Sequence, residues 1–383
     1  VVIQGYIDGT RRMITGKDFY SFCYIFANYL KKCGVSYGGR VAVISEKRPE
    51  VILSFFGIWL CRGVAVSICE TLKKEEFEYI LGDSAPEIIL CSPSIKNVLQ
   101  SYGFNKNFTI VSFDELLLEK DRGDSILMLK CLSPDDTAFL LYTSGSTGYF
   151  KGVMLTHRNV LINAVVSADY ISMSSDDAVM SILPYWHSFA LTAEIFTMLY
   201  KGGSILIPRD KANFLKDMVQ FKPTVVLSIP RIASMLKKGI ENSVKKLPFI
   251  QRKIFYFGQK VALQYYRLKG HNSAFFYAIL FRLFRKFVFN KVKGNFGGRI
   301  RYFIGGGAPL DTALQEFFFS IDIPMFQGYG LTEASPVISI NAPHDYQIGT
   351  SGKIIPWLTP DYCLLYTSPS PRDLSTSRMP SSA

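Results

Sequence analysis

Short apolar runs rich in β-branched residues recur along the chain, each followed by a stretch with helical periodicity. This alternation limits the fold more than any other feature. Residues 40–45 (R-V-A-V-I-S) read as a buried strand and 49–61 as the helix after it. Further strands are expected at 64–68, 88–91, 109–113, 138–142, 178–183, 204–207, 224–228 and 301–304, with helices at 75–81 and 157–171. Strands separated by helices argue for an α/β fold with largely parallel sheets. At 383 residues, with 48% hydrophobic and 19% charged side chains, a core is easily filled, and disordered, collagen-like and low-complexity classes are excluded. No uncharged apolar run approaches the ~18 residues of a membrane-spanning helix.

The segment 142–152, Y-T-S-G-S-T-G-Y-F-K-G, follows an expected strand and runs through 153–157 toward a helix. Glycines let backbone N–H groups turn toward an anion, hydroxyls add donors, and Lys151 brings a full positive charge. It is not a Walker A loop, because Lys151 is followed by Gly152 and Val153 rather than Ser or Thr.

This segment resembles the phosphate-binding signature of the AMP-forming acyl-CoA synthetases, the adenylate-forming superfamily. Three further stretches fall in that family's order: 183–187 (L-P-Y-W-H), 305–310 (G-G-G-A-P-L) and 327–333 (Q-G-Y-G-L-T-E). A Gly-rich stretch at 348–353 follows. The resemblance implies a large N-terminal adenylate-forming domain of mixed and parallel sheets flanked by helices, with the small C-terminal lid domain missing. It covers residues 1–361, a domain truncated at both ends.

The family's reaction joins a carboxylate to ATP, giving acyl-AMP and pyrophosphate, and then passes the acyl group to the thiol of CoA. By resemblance, Thr143, Ser144, Gly145, Ser146, Thr147, Gly148 and Lys151 hold the β- and γ-phosphates. Glu333, with Thr147, holds Mg²⁺. Gly307, Ala308 and Pro309 line the adenine, Gln327 and Gly328 join the nucleotide site, and Tyr329 stacks on the base. Thr332 reaches the α-phosphate and the incoming carboxylate, and His187 positions that carboxylate or shapes an acyl tunnel. His157, at a helix start, is expected to be structural, and Trp186 and Phe189 to be core or pocket walls. Relatives commonly carry Pro before the loop lysine, where this chain has Phe150, so a φ constraint is lost. The family's ribose-binding Asp, hinge and acylating Lys would lie beyond Asp361, so the chain as given is expected not to complete the cycle.

Charge is unevenly distributed. From Arg231 to Arg301 there are seventeen Lys and Arg against one acid, Glu241, a formal +16, while the rest of the chain carries −4. The same stretch holds twelve aromatics, from Phe255 to Phe289. Such a field draws anions, and mixed rings and basic stems suit an anionic membrane surface. The competing reading is a solvated helical insert whose rings pack inward. No nucleic-acid module accompanies the charge, so no nucleic-acid partner is expected. This basic-aromatic insert resembles the long-chain fatty acid–CoA ligase branch, whose substrates are a fatty acid, ATP and CoA. Two other readings stay open: a ligase for another carboxylate or a carrier-protein thiol, and a non-catalytic membrane-surface relative.

Seven scattered cysteines without a C-x-x-C pair suggest reduced, mostly buried thiols in a cytoplasmic protein, while the stretch 231–301 is what would place it peripherally on the inner face of a membrane. The first residue, Val1, reads as the start of a fragment. Residues 363–373 (C-L-L-Y-T-S-P-S-P-R-D) match the translation of a transposase-type sequencing-library adapter, and 377–383 (S-R-M-P-S-S-A) its outer end. Residues 362–383 are therefore expected not to be native protein, the alternative being a natural Ser/Pro-rich tail.

Overall fold

The computed structural model describes residues 2–7, 10–118, 132–144, 150–210, 212–268 and 274–356. In the N-terminal half the strands are β1 (Val2–Ile7), β2 (Thr10–Ile14), β3 (Arg40–Ile44), β4 (Val64–Ile68), β5 (Ile88–Cys91), β6 (Thr109–Ser112), β7 (Thr137–Ser144) and β8 (Phe150–Thr156). In the C-terminal half they are β9 (Ala178–Met180), β10 (Ser204–Leu206), β11 (Val225–Ser228), β12 (Tyr302–Gly305), β13 (Met325–Gly330), β14 (Val337–Ile340) and β15 (Lys353–Ile354).

These strands form two sheets. The smaller has the order β6-β5-β3-β4-β7-β8, and the larger β15-β14-β13-β12-β11-β9-β10-β1-β2. Both are parallel in their interior, and the antiparallel pairs lie toward the edges: β7 with β8, β1 with β2, β13 with β14 and β14 with β15. β4, β5, β9, β11 and β12 are buried along their whole length, which is why each reads in sequence as a mainly apolar run. The architecture is mixed α/β with helices flanking both sheets, as expected.

Local chemistry sets the helix starts. The Thr15 side chain caps Gly16–Lys32 with Asp18 completing a capping box, and Pro49 opens Pro49–Leu60. Thr156 caps His157–Tyr170 through the amide of Asn159, and Asp311 caps Thr312–Ser320. Each expected strand is present. The hairpin β1–β2, the helix Gly16–Lys32 and strand β8 were not anticipated, because their alternating or amphipathic patterns carry only a one-sided apolar face.

Most of the described part of 231–301 is helical: Pro230–Lys245, Phe249–Arg267, Ala274–Phe284, Arg285–Phe289 and Asn290–Gly294. Phe255, Phe281 and Phe289 pack inward, while Phe257, Phe275, Phe276 and Phe287 remain exposed. The inward-packing reading therefore holds for one face only. Among the described residues, no helix is long and apolar enough to cross a membrane.

Among the described cysteines, Cys23 and Cys91 are buried, Cys61 and Cys69 half-buried and Cys33 exposed, all as free thiols. Burial pushes Cys23 and Cys91 up to about 12 and Cys61 to about 11, which leaves these three unreactive.

Candidate active site

The residues singled out in sequence fall on connections at the C-terminal ends of strands, the edge where open α/β sheets bind ligands. The 142–152 segment comprises the end of β7, the start of β8 and the residues between them. Tyr142 opposes Gly152, Thr143 opposes Lys151 and Ser144 opposes Phe150. Gly145, Ser146, Thr147 and Gly148 lie outside the described residues. Both ends of the loop are fixed by neighbours of the smaller sheet. Tyr142 donates to Asp83 at 2.5 Å, and Tyr79 donates to the Phe150 carbonyl at 3.1 Å with its ring against the Phe150 ring. Phe150 thus gains through packing and pairing part of the constraint that a proline would give. Lys151 is exposed on β8.

The stretch 183–187 leaves β9 and sits between the two sheets, with Ser67 of β4 donating to the Tyr185 carbonyl at 3.1 Å. His187 accepts the Phe189 amide on Nδ1 at 3.2 Å, which leaves Nε2 as the protonated nitrogen of the neutral ring. Its close-packed surroundings lower its pKa below the usual imidazole value, although one face stays open to solvent. Beside it, the indole N–H of Trp186 is buried with no hydrogen-bond partner among the described residues.

Gly307, Ala308 and Pro309 are exposed on the turn after β12, where Gly307 takes a φ of 76°. Gln327, Gly328 and Tyr329 lie on β13. The Gln327 side chain accepts the Leu310 amide at 3.0 Å and so pins this turn to β13. Thr332 and Glu333 occupy the single 3₁₀ turn Thr332–Ala334, with Glu333 exposed.

Specific bonds bring these segments together. Ser188 donates to Thr332 at 3.2 Å, and Thr192 to the Ser335 carbonyl at 2.8 Å. Buried Asn163, on the helix that follows β8, donates to the carbonyls of Ala334 and Val337 and accepts the Val337 amide. β8 itself runs beside the Thr332–Ala334 turn. The loop strand, the His187 segment and the Thr332–Glu333 turn therefore meet at one place. Among the described residues, no hydrogen bond joins Lys151, His187 and Glu333 directly.

His157 is half-buried, its ring 5.0 Å from that of Trp59 and its pKa lowered by burial, in keeping with a structural role. Sequence reasoning missed the buried pair beneath the 183–187 segment. Glu194, fully buried, accepts from Lys47 at 3.2 Å, from Ser181 at 2.6 Å and from the amides of Ile182 and Leu183 at 3.1 Å each. Burial lowers Lys47 to about 8 against the pull of Glu194. The available signal was an acid inside the apolar run 189–196. Asn163, a polar residue within the apolar stretch 160–166, carried the same kind of signal.

A cavity of about 330 Å³ lies at the opposite ends of β12 and β13, lined by Tyr266, Arg285, Lys293, Tyr302 and Asp322 among others. Arg285 and Lys293 are ion-paired to Asp322 there, which ties the 231–301 helices to the larger sheet.

Residues 2–361 match the family described as AMP-binding enzyme. The chain is 31% identical to fatty acyl-CoA synthetase A of Dictyostelium discoideum over 84% of its own length and 50% of the relative's. It is 28% identical to the peroxisomal long chain acyl-CoA synthetase 6 of Arabidopsis thaliana over 80% of its length and 46% of the relative's. It spans about half the length of these curated relatives. Among solved structures, the anthranilate CoA ligase AuaEII in complex with anthranoyl-AMP superposes with a TM-score of 0.70 at 21% identity, over 90% of this chain and 59% of that one.

Proposed function

Because the chain belongs to the AMP-binding enzyme family, we propose that the protein activates a long-chain fatty acid with ATP to acyl-AMP, releasing pyrophosphate, and passes the acyl group to CoA. The observation that supports this reading is the Ser188–Thr332 hydrogen bond, which links the residue after the 183–187 stretch to the 327–333 stretch, with β8 packed alongside.

The chemical problem is to bring a carboxylate anion against a polyanionic triphosphate and hold it in line with the α-phosphorus. Thr143, Ser144, Gly145, Ser146, Thr147, Gly148 and Lys151 are assigned to the β- and γ-phosphates, with Lys151 neutralising charge as pyrophosphate leaves. Gly307, Ala308, Pro309, Gln327 and Gly328 are assigned to the nucleotide, with the exposed ring of Tyr329 on its base. Thr332 is assigned to the α-phosphate and the attacking carboxylate. Neutral His187 presents Nε2–H as a donor to that carboxylate or to the tunnel mouth. Lys47 and Glu194 act only by holding the 183–187 segment.

The described residues contain no group of three or more carboxylate, His or Cys side chains able to hold a metal alone. One exposed carboxylate, Glu333, with Thr147 from the loop, fits a Mg²⁺ ion that keeps waters and binds mainly through substrate phosphates. Such an ion supplies charge screening on the phosphates. The basic-aromatic segment 231–301 is assigned to an anionic membrane surface, which would make the protein peripheral.

The test is carboxylate-dependent ATP–pyrophosphate exchange by the intact protein across a chain-length series. Exchange should be greatest with long-chain fatty acids. A maximum with acetate or a coumarate would overturn the substrate assignment, and no exchange with any carboxylate would overturn the activity.

A further inference from the structure

We propose that the outer face of the helix pair Phe249–Arg267 and Ala274–Phe284, with the turn that follows it, is the surface that docks on an anionic lipid bilayer. The inference deepens the membrane assignment of the 231–301 segment and is independent of the adenylation chemistry.

On the first helix, Ile250, Ile254 and Phe257 recur at i, i+4 and i+7, forming an exposed apolar stripe. Beside it runs a mixed stripe of Phe249, Lys253, Tyr256 and Lys260, with the Lys253 ammonium 4.4 Å from the centre of the Phe249 ring. On the second helix, Phe276, Ile279 and Leu283 make the corresponding stripe, and Phe287 extends it onto the next turn. Arg282 and Lys286 flank it, with Lys286 5.5 Å from the Phe287 ring centre. Ile250 is 71% exposed and Phe275 75%, values that water tolerates in isolated residues but not readily in a contiguous patch.

The two helices that carry these stripes pack on each other. The Phe257 ring meets Phe284 at 5.7 Å and Tyr265 stacks on Phe281 at 4.6 Å. A Cβ on Gly258 would lie 2.7 Å from the Phe284 ring, so this position accepts no side chain without the ring moving. Asp322 anchors the pair from beneath through Tyr266, Arg285 and Lys293.

Charge identifies the occupant. No acidic residue occurs between Glu241 and Asp311. Among the described residues, no carboxylate pairs with Lys253, Lys260, Arg282 or Lys286. A second copy of this face would set cations against cations. A nucleic acid would satisfy the cations yet leave Ile250, Ile254 and Leu283 in water. An anionic bilayer meets both demands, taking the rings and aliphatic groups below its headgroups while the ammonium and guanidinium groups stay among the phosphates.

The test is co-sedimentation of the full protein with vesicles of phosphatidylcholine alone and of phosphatidylcholine mixed with phosphatidylglycerol. Two variants accompany the wild type: F276S/L283S, and the charge reversal K253E/R282E/K286E. The wild type should bind the mixed vesicles, and each variant should bind them at least about tenfold more weakly. Melting temperature and octanoate-dependent pyrophosphate exchange without vesicles should match the wild type and show both variants folded. Equal binding by wild type and both folded variants would overturn the proposal, as would equal binding of wild type to both vesicle types. So would a solution dimer that F276S/L283S dissociates while vesicle binding is unchanged. Absence of exchange in the wild type would count against adenylation and leave the docking result readable.

Discussion

Thr143 and Lys151 stand directly opposite each other across the antiparallel pair of β7 and β8. Directly opposed residues project from the same face of a two-stranded ribbon. The two side chains therefore leave the same face of the hairpin, next to the Gly/Ser/Thr segment. Replacing Lys151 with Met should lower pyrophosphate exchange by about 10²–10³-fold. Because Lys151 is exposed, the melting temperature should stay where it is, and a loss of activity accompanied by unfolding would count against a phosphate-binding role.

Removal of Mg²⁺ with a chelator should stop exchange, and returning the ion should restore it. In Glu333→Gln the Mg²⁺ concentration needed for half-maximal exchange should rise about tenfold or more. An unchanged requirement would remove Glu333 from the metal site.

The Ser188–Thr332 hydrogen bond predicts a positioning effect. Ser188→Ala removes the donor and should cost about 1 kcal/mol of stability. Exchange should fall about tenfold with ATP affinity retained, a split measurable from kcat and KM. An equal loss in a variant distant from the site would show the effect to be general.

Lys47 and Glu194 predict a pH dependence. Lys47 titrates near pH 8 in the folded protein against 10.5 as a free side chain. Between these values the unfolded chain binds the proton that the folded chain has released, so stability contributed by this group rises with pH across the window and is flat below it. The difference in denaturation midpoint between wild type and Lys47→Met should therefore change between pH 7.5 and 9.5. At pH 7, Lys47→Met leaves Glu194 buried without its cation and should cost about 3 kcal/mol. Adding Glu194→Gln should recover part of that loss.

Gly330 lies against the chain just beyond the Thr332 turn, where an added Cβ would come within 2.1 Å of the Pro336 carbonyl oxygen. The obstacle is backbone, so Gly330→Ala should displace the turn, destabilise the protein by about 1–3 kcal/mol and reduce exchange with it. A variant of wild-type stability and activity would show that this approach relaxes freely.

The parallel interior of both sheets was legible because strands such as β4 and β11 are buried on both faces and read as mainly apolar, β-branched runs. Strand β8 was not, since only Leu155 is buried along it and its partner β7 supplies the pairing. The candidate site residues were legible as motifs, because backbone turns near phosphates demand glycine, small hydroxyls and one cation. What brings the motifs together was hidden. Asn163, Glu194 and Ser188 are single polar residues whose partners lie from 11 to 174 positions away, and no local pattern marks such a bond.

The pairing of β1 with β10 has a consequence for how the chain is made. Val2 aligns with Ser204 and Gln4 with Leu206, so the first strand has no parallel neighbour until about 200 residues later. The smaller sheet, complete by Thr156, can assemble while that neighbour is still untranslated. At roughly 5–20 residues per second, the β1–β2 hairpin waits on the order of 10–40 s after its synthesis before it can dock. Through that interval Ile3 and Ile14 stay uncovered, and the backbone edge of β1 that later meets β10 stays unpaired. This order of birth leaves the β1–β2 hairpin dependent on protection until β10 is made.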